Sequence, residues 1–172
     1  TASGTEMVKD IRAGTGSSNP YNFVVFNNML YFSADDDTNG RELWQSDGTS
    51  SGTVMIKDIR SGVSSSSPSS LTVFDNAIYF SAIDSTHGLE LWKSDGTESG
   101  TVMIKDILSG SGGSWVSQLT VVGNTLFFRA NDGINGDELW KSDGTESGTV
   151  MVKDINPGSG SSALEKFTAV GN

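Results

Sequence analysis

A unit of 48 residues repeats along this chain, and that regularity limits the possible folds more than any other feature. Trp44, Trp92 and Trp140 stand 48 residues apart, each in a Glu-Leu-Trp-x-Ser-Asp-Gly-Thr run, and Lys9, Lys57, Lys105 and Lys153 keep the same step within Val/Ile-Lys-Asp-Ile. The residues from Glu90 to Met103 recur unchanged from Glu138 to Met151. Self-similarity of this period marks architectures in which each unit buries its apolar surface against the next.

Within one period four strand-like runs stand out: Leu71 to Phe74, Ala77 to Ala82, Leu89 to Lys93, and Thr101 to Ile107. Turn residues separate them. Asp75-Asn76 joins the first two, as Asn27-Asn28 and Gly123-Asn124 do in the neighbouring units, and such pairs accept the positive φ of a two-residue hairpin. Ser94-Asp95-Gly96-Thr97 joins the last two. No helical periodicity competes with this pattern. Val102 and Ile104 load one face of the last run and Met103 and Ile107 the other, so the sheet is expected to be covered on both sides. The expected fold is therefore all-β: β-propeller blades of four antiparallel strands, with a stacked β-solenoid or an open propeller-like filament as the alternative. Residues 5–11 read as the last strand of a preceding unit; 12–59, 60–107 and 108–155 are full units; 156–172 begin another, with a strand from Phe167 to Val170. The total, about three and a half units, is fewer than the roughly four to eight blades of a closed ring. A segment of a longer chain, or an assembly of copies, is the expectation that follows.

Composition narrows the partners. With 21 Asp and Glu against 11 Lys and Arg, the net charge of −10 opposes phosphate backbones and anionic lipid surfaces, which argues against nucleic-acid and membrane-surface binding. There is no cysteine, hence no disulfide framework and no thiolate metal site. No apolar run reaches the roughly 18 residues of a membrane-spanning helix, so no membrane insertion is expected.

The signature Glu-Leu-Trp-x-Ser-Asp-Gly-Thr, followed by Gly-Thr-x-x-Val/Ile-Lys-Asp-Ile, resembles the ELWxxDGT repeat family. Its instances are Glu42 to Thr49, Glu90 to Thr97 and Glu138 to Thr145. Gln45 departs from the pattern at the position held by Lys93 and Lys141. The resemblance implies bacterial secreted or surface-attached proteins with many tandem copies and propeller-like arrays. It brings no defined activity and no catalytic residues.

Each candidate site residue has a structural reading beside the functional one. Trp44, Trp92 and Trp140 suit sugar stacking, but their recurrence at one strand position makes them core anchors between blades. Asp47, Asp95 and Asp143 with Gly48, Gly96 and Gly144 form turns, the aspartates accepting from turn amides and the glycines supplying positive φ. Asp35, Asp37 and Asn39 have the alternate spacing that opens calcium loops, although the equivalent loops of the other units lack it. Asp36, Asp84 and Asp132 recur, as do Glu42, Glu90 and Glu138, and are expected to accept from backbone amides. His87 replaces Asn39 and Asn135 in a turn and is read as a solvated turn residue. The repeated Lys-Asp pair reads as a surface ladder of alternating charge. Trp115, equivalent to Asn19 and Ser67, and Arg129, equivalent to Ser33 and Ser81, break the symmetry and are the candidates for contact with a ligand or partner.

The resemblance implies a place outside the cell or at its surface, and with the near-identical units the expected function is a non-catalytic structural or adhesive scaffold, forming a layer or fibre through other copies or further repeats of the same chain. The alternative is a lectin-like propeller that binds surface glycans between its blades.

Overall fold

The structure, a computed structural model, describes residues 2–169. After a short 3-10 turn at Ala2–Gly4, twelve strands follow in chain order: β1 (Tyr21–Phe26), β2 (Met29–Asp35), β3 (Arg41–Ser46), β4 (Val54–Lys57), β5 (Ser69–Phe74), β6 (Ala77–Asp84), β7 (Gly88–Ser94), β8 (Val102–Lys105), β9 (Ser117–Val122), β10 (Thr125–Asn131), β11 (Asp137–Ser142) and β12 (Val150–Lys153). They form three antiparallel four-stranded sheets, each a meander in sequence order. The chain is all-β, as the repeat implied. No α-helix occurs among the described residues, and none is long and apolar enough to cross a membrane.

Local chemistry sets the register. Phe26 pairs with Met29 and Phe74 with Ala77, leaving two-residue loops in which Asn27, Asn28, Asp75 and Asn76 all have positive φ. In each first strand a residue with left-handed φ, Asn22, Ser70 or Gln118, interrupts the ladder and bends the strand. Each last strand is shorter than its sequence suggests. The run expected from Thr101 to Ile107 is strand only over Val102–Lys105, because the Ile107 amide turns away from the ladder to the Glu90 carboxylate.

Two apolar cores lie between consecutive sheets. Tyr31, Leu43, Ile56 and Ile59 of the first sheet unit pack with Ile78, Phe80, Ala82 and Trp92 of the second. Tyr79, Leu91, Ile104 and Ile107 of the second meet Leu126, Phe128, Ala130 and Trp140 of the third in the same way. Sheets covered on both faces therefore carry apolar residues on both, as β6 does along most of its length. Backbones of different sheets come closest through their first strands, β1 to β5 and β5 to β9.

The two ends depart from expectation. Residues 5–11 form no strand, because the described residues provide no third strand beside them to complete a ladder. Their side chains still occupy the places of a last strand: Ile11 packs on Phe32 and Trp44, and Lys9 reaches the Thr53 carbonyl. The strand expected from Phe167 to Val170 ends outside the described residues, and residues 167–169 are not strand.

Candidate functional site

The polar residues that repeat most faithfully meet at the junctions between units. Glu42, Glu90 and Glu138 lie near the start of the third strand of each sheet with a fully buried side chain. Glu42 accepts from the amides of Ile59 (3.0 Å) and Ser66 (3.0 Å) and from the Ser66 hydroxyl (2.5 Å). Glu90 accepts from the Ile107, Leu108 and Ser114 amides and the Ser114 hydroxyl. A carboxylate thus binds the turn after its own last strand to the segment that starts the next unit. Burial pushes the Glu42 carboxyl up to about 7, opposed by the donors of Ser66 and Ile59. Burial likewise raises Glu90 against its Ser114, Ile107 and Leu108 donors. Glu138 differs: it accepts from the Ile155 amide, while its buried Oε1 has no partner among the described residues, and Ser162 bonds to the Asp137 carbonyl alone.

Lysines make the second link. Lys9, Lys57 and Lys105 donate to the carbonyls of Thr53, Thr101 and Thr149, each in the following unit, at 2.7, 2.8 and 2.9 Å. The ladder of alternating charge read from the Lys-Asp pairs is therefore corrected. The lysine crosses to the next sheet, and Asp58, Asp106 and Asp154 each accept a glycine amide four residues on.

The Ser-Asp-Gly-Thr turns are closed by their own side chains. Asp47, Asp95 and Asp143 accept from the hydroxyl and amide of Thr49, Thr97 and Thr145, which hold all three carboxyls below the usual range. Gly48, Gly96 and Gly144 have φ near +90°. A Cβ on Gly96 or Gly144 would strike the hydroxyl of Tyr31 or Tyr79 from the preceding unit. Tyr79, Lys93, Asp95, Asp75 and Asp143 line a groove of about 370 Å³ between the second and third sheets, and Lys93 spans it to the Gly144 carbonyl. Burial, then Asp75 and Asp143, push the Tyr79 hydroxyl up to about 12.

Trp44, Trp92 and Trp140 are buried, with no face open to a sugar. Arg12 pairs with Asp35 and Asp37, and the Asn39 amide donates to Asp36. Among the described residues no three acidic or histidine side chains are grouped to hold a metal ion. Asp36 accepts from the amides of Thr38 and Asn39, and these donors outweigh burial to lower its pKa. His87 closes the equivalent turn on Asp84 at 2.7 Å, an interaction that raises the pKa of the imidazole.

Of the two residues that break symmetry, Arg129 is tied down, its guanidinium 2.9 Å from Asp137. Trp115 is 66% exposed. It also has a φ of 56°, a conformation shared by Asn19 and Ser67 at the same repeat position. A bulky aromatic is unfavourable there.

The Glu-to-Ser and Lys-to-carbonyl links were missed as links in the sequence. The signal was present in the recurrence of Ser18, Ser66, Ser114 and Ser162 at the 48-residue step. No family model matches the chain, and no curated protein matches it. Among solved structures it is similar to the crystal structure of a computationally designed protein, Ika8, at 15% identity and a TM-score of 0.43. The match covers 83% of this chain and 38% of that one, so this chain spans well under half the length of the designed protein.

Proposed function

We propose that this chain is a non-catalytic scaffold of β-propeller blades of the ELWxxDGT kind, acting outside the cell as an adhesive or layer-forming element. The observation that carries this reading is the use made of the repeated polar residues. Glu42 and Glu90 hold backbone amides, Lys57 and Lys105 hold carbonyls of the next unit, and the turn aspartates hold their own turns. Such groups stiffen an array by satisfying buried backbone groups across its junctions. Propeller blades, as against a solenoid of parallel layers, are favoured by the close approach of the first strands β1, β5 and β9, which is the contact expected of innermost strands around an axis. Electron microscopy of the native particle tests the geometry: arcs or discs support blades around an axis, and straight rods of stacked sheets refute them.

A lectin-like reading is favoured by the groove that Tyr79, Lys93, Asp95 and Asp143 line. Its side chains offer the mixed donors and acceptors that a polyhydroxylated ligand needs. Glycan-array binding abolished by Asp143→Asn would establish it in place of the scaffold.

A further inference from the structure

The groove between the second and third sheets holds more hydrogen-bond acceptors than the fold uses. Asp75, Asp95 and Asp143 line it with Lys93, so three carboxylates face one ammonium. That ammonium is engaged by the Gly144 carbonyl at 2.8 Å. Asp95 and Asp143 each give Oδ1 to the threonine of their own turn, which leaves Oδ2 available, and the Asp75 carboxylate receives no hydrogen bond among the described residues. A hydroxyl stands among these acids. Tyr79 is only 2% exposed, yet its hydroxyl reaches the groove above Gly144 and has no hydrogen-bond partner among the described residues. Burial, with Asp75 and Asp143 opposing ionisation, keeps it protonated at neutral pH. Buried side chains of this kind are completed by a partner outside the protein, water or a ligand. At the first junction Tyr31 lies over Gly96 in the same way, but Asn27 and Gln45 stand at the positions of Asp75 and Lys93.

We propose that this groove binds a sugar carrying a free amino group, with the ammonium held by the carboxylates around Tyr79 and a ring hydroxyl paired with the Tyr79 hydroxyl. The proposal rests on the lectin-like reading of the groove and narrows it to one class of glycan. Charge selects the ammonium. A neutral sugar would cover three carboxylates and one lysine without compensating the excess, and an acidic sugar would add to it. A bare metal ion does not serve, because among the described residues no three acidic or histidine side chains are grouped to hold one. A larger ligand is needed to reach the separate acids. The hydroxyls of Tyr79, Ser99 and Thr145 beside those acids select a hydroxylated ligand over a simple alkyl amine. A volume of about 370 Å³ lies in the range of small-molecule sites.

NMR titration of the full chain with glucosamine, glucose, N-acetylglucosamine and butylamine tests it, at about pH 6, where a sugar amine is protonated. Two variants suit the fold because the repeat already uses them. Asn27 stands at the position of Asp75 in a turn of the same positive φ, and Phe127 stands at the position of Tyr79. Glucosamine should bind about tenfold more tightly than the other three compounds; Asp75→Asn should weaken it about tenfold and Tyr79→Phe about threefold. Glucose or N-acetylglucosamine bound as tightly as glucosamine would overturn the amine and leave the lectin-like reading standing. Butylamine bound as tightly would overturn the sugar. Variants that bind glucosamine as the wild type does would overturn the groove as its site. No binding of glucosamine up to about 100 mM would overturn the proposal outright, while the glycan array decides the lectin-like reading separately.

Discussion

Replacing the same buried glutamate in three nearly identical units should give unequal losses of stability. Glu90 receives four donors, from Ile107, Leu108 and the amide and hydroxyl of Ser114. In Glu90→Ala the Ile107 amide is left without an acceptor, at about 2 kcal/mol for a bond to a charged group. The two Ser114 donors keep the Leu89 carbonyl as a second acceptor, which limits their loss to about 1 kcal/mol each. These three donors come to about 4 kcal/mol, and the long Leu108 contact of 3.4 Å adds little. Glu138 receives one donor among the described residues, the half-buried Ile155 amide, and Glu138→Ala should cost about 1 kcal/mol. Relief from desolvating the carboxylate is common to both and largely cancels in the comparison. Urea unfolding followed by tryptophan fluorescence, at pH 8 and at a dilution that keeps copies apart, should therefore separate the two midpoints by roughly 1–2 M. Glu42→Ala should group with Glu90→Ala. Equal losses in all three units would show that the amide contacts contribute nothing, and the account of the junction would fail.

Four further outcomes follow from the geometry. The Glu42 carboxyl titrates at about 7 in the fold and near 4.5 when unfolded, so between these values the folded state binds more protons. Stability should then fall as pH rises through this window, by roughly 3 kcal/mol in all. A urea midpoint no lower at pH 8 than at pH 5 would refute this, and Glu42→Gln should flatten the dependence. Gly48→Ala meets open space at φ +90° and should cost about 1–2 kcal/mol, less than Gly144→Ala, where the added Cβ meets the Tyr79 hydroxyl. Tyr79→Phe should recover part of the Gly144→Ala loss in a double-mutant cycle, and strict additivity would exclude the contact. Trp115→Asn should raise the melting temperature by easing φ 56°, with a gain of roughly 1 kcal/mol, and a lower melting temperature would mean that the indole packs. Because every copy carries a net charge of −10, association between copies should strengthen with added salt; weakening would point to an ion-paired interface.

By itself the sequence determined what is local. The 48-residue step, the hairpins at Asn27-Asn28 and Asp75-Asn76, the Asp95-Gly96 turn and the cover of the sheets on both faces were all legible, because each depends on φ preferences or on alternation within a few residues. Only the tertiary structure decided which repeated residues touch. Glu42 meets Ser66 24 residues away and Lys57 meets Thr101 44 residues away, and these pairs exist only once one sheet lies against the next. Asp35, Asp37 and Asn39 mark the same boundary from the other side. Their spacing suggests a cation loop, but Arg12, brought up by the packing of Ile11 on the first sheet, claims two of the three. Spacing along a chain records which groups are available, while stacking fixes their distances, and electrostatic and hydrogen-bond energies depend on distance.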